Sequence, residues 1–160
     1  MKAIIRSHYG SPEVLQVATL ERPVPRKNEV LIRVQAAGLD YGQWHLMAGQ
    51  PYLMRVATGL TRPRQQVLGM DVSGVVEAVG AGVRRFKVGD AVFGATSRTF
   101  AEFTCAREDQ LGLKPERLSF EQAAASAVSG VTALVGLRDV ARVKPGQSVC
   151  VIGAGGGVGS

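Results

Sequence analysis

The sequence predicts a mainly β chain that turns α/β towards its C-terminus, and three observations carry that expectation. Glycine-marked turns punctuate the apolar run VLGMDVSGVVEAVGAGVRRFKVGDAVFGA, Val67 to Ala95, at the close spacing of a small β-barrel. Ser119 and Gln122 form a capping box ahead of the alanine-rich EQAAASA. The last twelve residues, VCVIGAGGGVGS, read as an apolar strand that runs straight into a glycine cluster.

Taken in order, KAIIR (Lys2 to Arg6) and EVLIRVQAAG (Glu29 to Gly38) are strands, and the proline-rich ERPVPRKN between them is a loop or edge segment. Asp40 is placed to cap a short helix in DYGQWHLMAG, which closes on Gly49 ahead of Pro51. On that helix Trp44 and Met47 stand three apart and are expected to enter the core. Pro51 to Gln66 mixes apolar and basic residues between breakers and is expected to be a loop with a helical turn. Within the β region Gly80 and Gly82 ease one corner, and Gly89 with Asp90 turns the chain into a strand from Ala91 to Phe93. TFAEFTC, Thr99 to Cys105, alternates and supplies another half-buried strand. A helix is then expected from about Phe120, and a second over VTALVGLRDVARV, with Val131, Leu134, Leu137 or Arg138, and Ala141 on one face. Lys144-Pro145-Gly146-Gln147 suits a type II turn, and Ser148 to Ile152 a buried, parallel-type strand.

Composition narrows the function classes. At 160 residues and 46% hydrophobic, the chain can bury one domain and part of another. Its net charge of +6 is dispersed, densest at Arg62 with Arg64 and at Arg84, Arg85 and Lys87, with no basic helix or aromatic-interleaved basic motif. A nucleic-acid partner is therefore not expected, although a positive field would favour an anionic cofactor. No apolar stretch is expected to approach the ~20 residues of a membrane span, and MKAIIRSHYG lacks the pattern of a signal peptide. A cytoplasmic protein is expected, with no membrane partner and with Cys105 and Cys150 reduced.

EVLIRVQAAGL, VLGMDVSGVVEAVGAGVRRFKVGDAVFG, LSFEQAAASAVSGVTAL and VKPGQSVCVIGAGGGVG, in this order, resemble the medium-chain dehydrogenase/reductase superfamily, and most closely its zinc-independent, quinone-oxidoreductase-like branch. The resemblance implies a GroES-like β-barrel catalytic domain over residues 1–118. Residues 119–160 would then supply the linking helices, first strand and glycine turn of a truncated α/β Rossmann cofactor domain. Zinc-dependent relatives place metal ligands at positions that match Asp40, Met70 ahead of Asp71, and the neighbourhood of Val128. Methionine and valine there would be very poor zinc ligands, and the four-cysteine structural lobe is missing, so no metal is expected. His8 and His45 have no ligand partner at short spacing and read as surface or packing residues.

Without zinc, a reductase polarises its carbonyl with hydrogen bonds or uses an acceptor, such as a quinone, that takes hydride readily. Related quinone reductases carry an asparagine and then an aspartate at positions matching Asp40 and Gln43, so amide and acid have changed places here. Asp40, Gln43 and Tyr52 are the catalytic candidates, with a plain helix cap the competing role for Asp40 and a loop anchor that for Tyr52. Tyr41 is a candidate for ring contact with the cofactor, and Thr132 matches a family threonine near it. Ala154, Gly156 and Gly159 fit an A-x-G-x-x-G phosphate turn, with Gly157 inside it.

The leading expectation is the N-terminal portion of an oxidoreductase that, when complete, transfers hydride from NADPH or NADH to a quinone, enone or similar small carbonyl. Alone, the chain is expected to be inactive or nearly so, because the ribose-reading residue would lie further on. A stand-alone GroES-like binding or interaction module is the alternative, and an active alcohol dehydrogenase a second. Exposed faces on the Val131 helix and the Ser148 strand would favour a homodimer.

Overall fold

The computed structural model describes all 160 residues. Its centre is a five-stranded antiparallel sheet in the order β6-β3-β4-β5-β7, formed by β3 (Glu29–Ala36), β4 (Asp71–Val79), β5 (Ala91–Ala95), β6 (Phe103–Arg107) and β7 (Leu111–Leu113). β1 (Lys2–Arg6) and β2 (Leu15–Thr19) form a separate antiparallel pair, tied to the rest by single bridges from Ala3 to Ala101 and from Ile5 to Val67. Alternation along β3 and β4 sends Val30, Ile32, Val72 and Val76 into one core with Phe86, Val92, Ala106 and Leu111. On the opposite face of β4, Asp71 and Ser73 are buried as well, because a helix covers them. That helix is α3 (Phe120–Leu134), which lays Ala123, Ala124 and Ala127 against the sheet. Small side chains let it approach closely enough for Ser73 Oγ to donate to the Phe120 carbonyl.

The short helix forms where its capping residues place it. α1 (Tyr41–Ala48) starts at Asp40, whose Oδ1 accepts from the Gln43 N–H at 3.0 Å. It ends at Gly49, held at φ +65°, a conformation that strains any residue with a Cβ. Met47 packs with Val14 and Leu68 in a second small core. Trp44 departs from expectation: it is 39% exposed and stacks on Tyr41. Arg55 donates to the Gly49 and Ala48 carbonyls, so a cation closes the negative end of the helix. Arg55 itself opens α2 (Arg55–Thr58), the helical turn expected in the Pro51 to Gln66 loop.

Four sequence expectations are corrected. Helix α3 does not stop for a second helix at Val131; it continues through Val135–Val140 as a π-helical turn, since neither Gly130 nor Gly136 breaks it. The apolar length count changes with it: Phe120–Val140 is 21 residues, long and apolar enough by length and composition to cross a membrane. One face of it, Ala123, Ala124 and Ala127, is nevertheless packed on the sheet, while most of the remaining length is exposed. Ser148 to Ile152 is not a strand, and Val151 and Ile152 are exposed, because a strand requires a neighbour and none lies beside it. The strand sought at Thr99 starts at Phe103, while β2 and β7 have no counterpart among the expected elements.

Candidate functional site

Gln43 is the side chain around which the site is built. Its residue is 2% exposed, on the inner face of α1, and its Oε1 accepts from the Gly69 N–H at 2.8 Å. That bond commits the acceptor end of the amide and turns Nε2, with its two donors, the other way. Nε2 has no partner. A buried amide donor left unpaired costs about 1–3 kcal/mol, a cost that an acceptor atom reaching Nε2 would relieve.

Two cavities meet at this residue. One, of about 530 Å³, is polar in part and is lined by Arg6, Gln43, Arg64, Met70, Thr96 and Ser97 among others. The other, of about 470 Å³, is mostly apolar and includes Asp40, Tyr41, Trp44, Met47 and Phe100. Gln43 and Leu68 line both. Close to Gln43, Thr99 Oγ1 is a second buried polar atom without a partner, packed beside Gly69.

Asp40 has a further neighbour. The Asp71 carboxyl lies near enough to feel its charge, and Asp71 Oδ1 accepts from the Val128 N–H at 2.7 Å. Burial pushes the Asp71 carboxyl above its usual range, the Val128 N–H opposes that, and the Asp40 charge adds to the rise. The positions suggested by zinc-dependent relatives thus hold a carboxyl pair, with Met70 beside it and Val128 contributing only its backbone N–H. No group of three or more His, Cys, Asp or Glu side chains clusters anywhere in the molecule.

The remaining candidates lie apart. Tyr41 is 71% exposed, stacked on Trp44 with centroids 5.3 Å apart, at the rim of the apolar cavity. Tyr52 is exposed against the Arg55 guanidinium, 4.7 Å from its ring centroid, and lines neither cavity. Thr132 donates to the Val128 carbonyl at 2.8 Å and faces a groove shared with Ala95 and Val131. Ala154, Gly156, Gly157 and Gly159 form an exposed turn in which the Gly156 N–H bonds the Gly153 carbonyl and the Gly159 N–H that of Gly156. A Cβ at Gly159 would stand 2.4 Å from the Gly153 oxygen, so the turn is closed tightly enough to demand glycine there. Sequence reasoning missed Arg6 and Thr99. Neither carries a motif, and only the packing of β1 against α1 reveals that Arg6 is 2% exposed.

Comparison with known proteins places this geometry. The alcohol dehydrogenase GroES-like domain family matches residues 26–118. The quinone oxidoreductase of Sus scrofa is 37% identical over 162 residues, covering 99% of this chain and 47% of that protein. The quinone oxidoreductase structure from Coxiella burnetii superposes with a TM-score of 0.87 at 34% identity, over 99% of this chain and 50% of that one. The Escherichia coli quinone oxidoreductase complexed with NADPH superposes with a TM-score of 0.83 at 30% identity, over 99% and 47%. The chain spans about half the length of the relatives it matches.

Proposed function

The chain belongs to the alcohol dehydrogenase GroES-like family, within the medium-chain dehydrogenase/reductase superfamily, and from that membership we propose that it forms the substrate-binding half of a zinc-independent, NADPH-dependent reductase of quinones, enones or similar carbonyls. The observation that carries the reading is the superposition of 99% of the chain on a quinone oxidoreductase complexed with NADPH. Residues 1–118 would be the GroES-like catalytic domain and residues 119–160 the entry to the cofactor domain, a division supported by the family match ending at residue 118. Free thiols at Cys105 and Cys150 fit a reducing, cytoplasmic setting.

The nicotinamide would supply the hydride. Gln43 would hold the acceptor's carbonyl oxygen, because its Nε2 is buried, oriented and unpartnered. Such a donor strengthens as negative charge develops on that oxygen, which is the work zinc does elsewhere in the superfamily. Asp40 would position Gln43 by capping the helix that carries it, with the buried Asp71 next to it and tied to the Val128 N–H. Tyr52 has no part in this assignment, since it lines neither cavity. Ala154, Gly156, Gly157 and Gly159 would let pyrophosphate approach the backbone, and the tight closure at Gly159 fits that role. Thr132 and Tyr41 would flank the nicotinamide end. The donor set at Asp40, Met70 and Val128 does not fit catalytic zinc, which argues against the alcohol dehydrogenase alternative.

In the complete gene product, NADPH oxidation should depend on added quinone or enone. Gln43→Leu should lower kcat/KM on the order of 10²-fold with NADPH affinity unchanged. Absence of acceptor-dependent oxidation with quinones and enones alike would overturn the reading. The stand-alone binding module would then be favoured, and the exposed Val131 and Leu134 at the end of α3 and Val140 on its extension are the observation on its side.

A further inference from the structure

The larger cavity holds a cation with no carboxylate to pair with it. Arg6 ends strand β1 at 2% exposure and donates from Nη1 to the Leu46 carbonyl, but its Nε has no partner. Its nearest aromatic neighbour is Tyr9, whose ring centroid lies 5.1 Å from the guanidinium carbon. The salt bridges of the molecule join Arg22 and Arg33 to Glu77, Arg107 to Asp109 and Arg138 to Asp139; none involves Arg6. Arg64 lines the same cavity, and no aspartate or glutamate does.

A role in folding accounts for only part of this arrangement. Tying β1 to the C-terminal turn of α1 uses Nη1, and a neutral side chain could serve it. Burying a guanidinium without a carboxylate is costly, and the cost is recovered when an anion arrives in the same low-dielectric space. Gln43 stands in the same cavity with its donor end free. The cavity therefore offers two distinct recognitions, a neutral donor suited to a carbonyl oxygen and a buried cation suited to a carboxylate.

We propose that the acceptor reduced at this site is an oxo or enone acid, a carbonyl compound whose carboxylate is anchored by Arg6 while Gln43 holds its carbonyl oxygen. The proposal rests on the reductase reading above and narrows its substrate class.

Benzoylpropionate and its methyl ester, matched ketones that do not alkylate thiols, separate the two recognitions. Each is titrated into the isotope-labelled chain, with the Arg6 Nε–H resonance followed by NMR. The acid should bind about tenfold tighter than the ester and move the Arg6 resonance, as a charge-assisted hydrogen bond requires. Arg6→Gln should reduce the preference to about twofold, whereas Arg62→Gln, which removes the same charge outside the cavity, should leave it intact. Equal affinities for acid and ester, or a preference that survives in Arg6→Gln, would overturn the proposal. Should Arg6→Gln fail to fold by circular dichroism, an unmoved Arg6 resonance in the wild type at saturation would overturn it equally. Gln43→Leu tests the underlying reading separately. Equal affinities that both fall in Gln43→Leu remove only the carboxylate anchor. An Arg6-dependent preference that is indifferent to Gln43→Leu removes the carbonyl contact and with it the oxo-acid assignment.

Discussion

Asp71 shows how one residue records both the ancestry and the present chemistry of the site. It sits 4% exposed behind β4, with its Oδ1 on the Val128 N–H and its carboxyl against Asp40. Burial and the neighbouring carboxyl raise its pKa above the ordinary 3.8, so the folded state holds a proton that the unfolded chain releases. Stability from this group is complete below the ordinary carboxylate value and is lost as pH rises through the elevated one. Asp71→Asn keeps an oxygen acceptor for Val128 and removes the titration. Urea unfolding from the mildly acid range to neutrality should show the variant at least as stable as wild type at neutral pH, with a flatter dependence on pH; an unchanged slope would refute the sign. Legibility at this scale was uneven. Asp40 and Gln43 stood out because they replace an expected amide and acid on a capped helix, and the structure joins them by a hydrogen bond. Arg6 gave no signal, because an arginine closing a short strand usually reaches solvent and only tertiary packing denies it that route.

At the scale of elements, whatever is determined by near neighbours in the chain was readable. The start of α3 is an example: Ser119 Oγ accepts from the Gln122 N–H at 3.2 Å, and the Gln122 side chain accepts from the Ser119 N–H at 3.0 Å. Ser119→Ala removes one of these bonds and should cost about 1 kcal/mol in denaturant unfolding, while Ser119→Asp should restore most of the loss. No change in the alanine variant would mean that packing on the sheet alone sets the helix start. Both ends of α1 were equally local, since Asp40 caps one and Gly49 at φ +65° closes the other. Elements that depend on distant partners were not readable. The run Ser148 to Ile152 has the composition of a strand but no ladder beside it, and β2 and β7 exist because β1 and β5 offer them edges. The extension of α3 through Gly136 likewise follows from the helix already running, not from residues that favour a start there.

Over the whole molecule, the fold class was legible because strand alternation and turn glycines recur through the first two thirds of the chain, and the exposed apolar residues around Val131 and after Ser148 were legible too, although the latter form no strand. One face of the first half of α3 is covered by the sheet, but its last turn and its continuation present Val131 at 62%, Leu134, Val135, Leu137 and Val140 at 77% exposure. Ile152 adds an apolar side chain at 96% exposure, with Val149 and Val151 before it. Exposed apolar surface of this kind seeks cover, since its hydration cost scales with area at about 25 cal/mol per Å². The 160-residue chain should therefore self-associate with rising concentration and bind a hydrophobic dye, as sedimentation velocity and dye fluorescence would register. Val131→Lys with Val140→Lys should shift the population to monomer and lower dye binding. Because neither side chain belongs to the buried cores, the unfolding free energy of the dilute chain should change by no more than about 0.5 kcal/mol. A wild-type chain that stays monomeric and dye-silent at all concentrations would overturn this prediction.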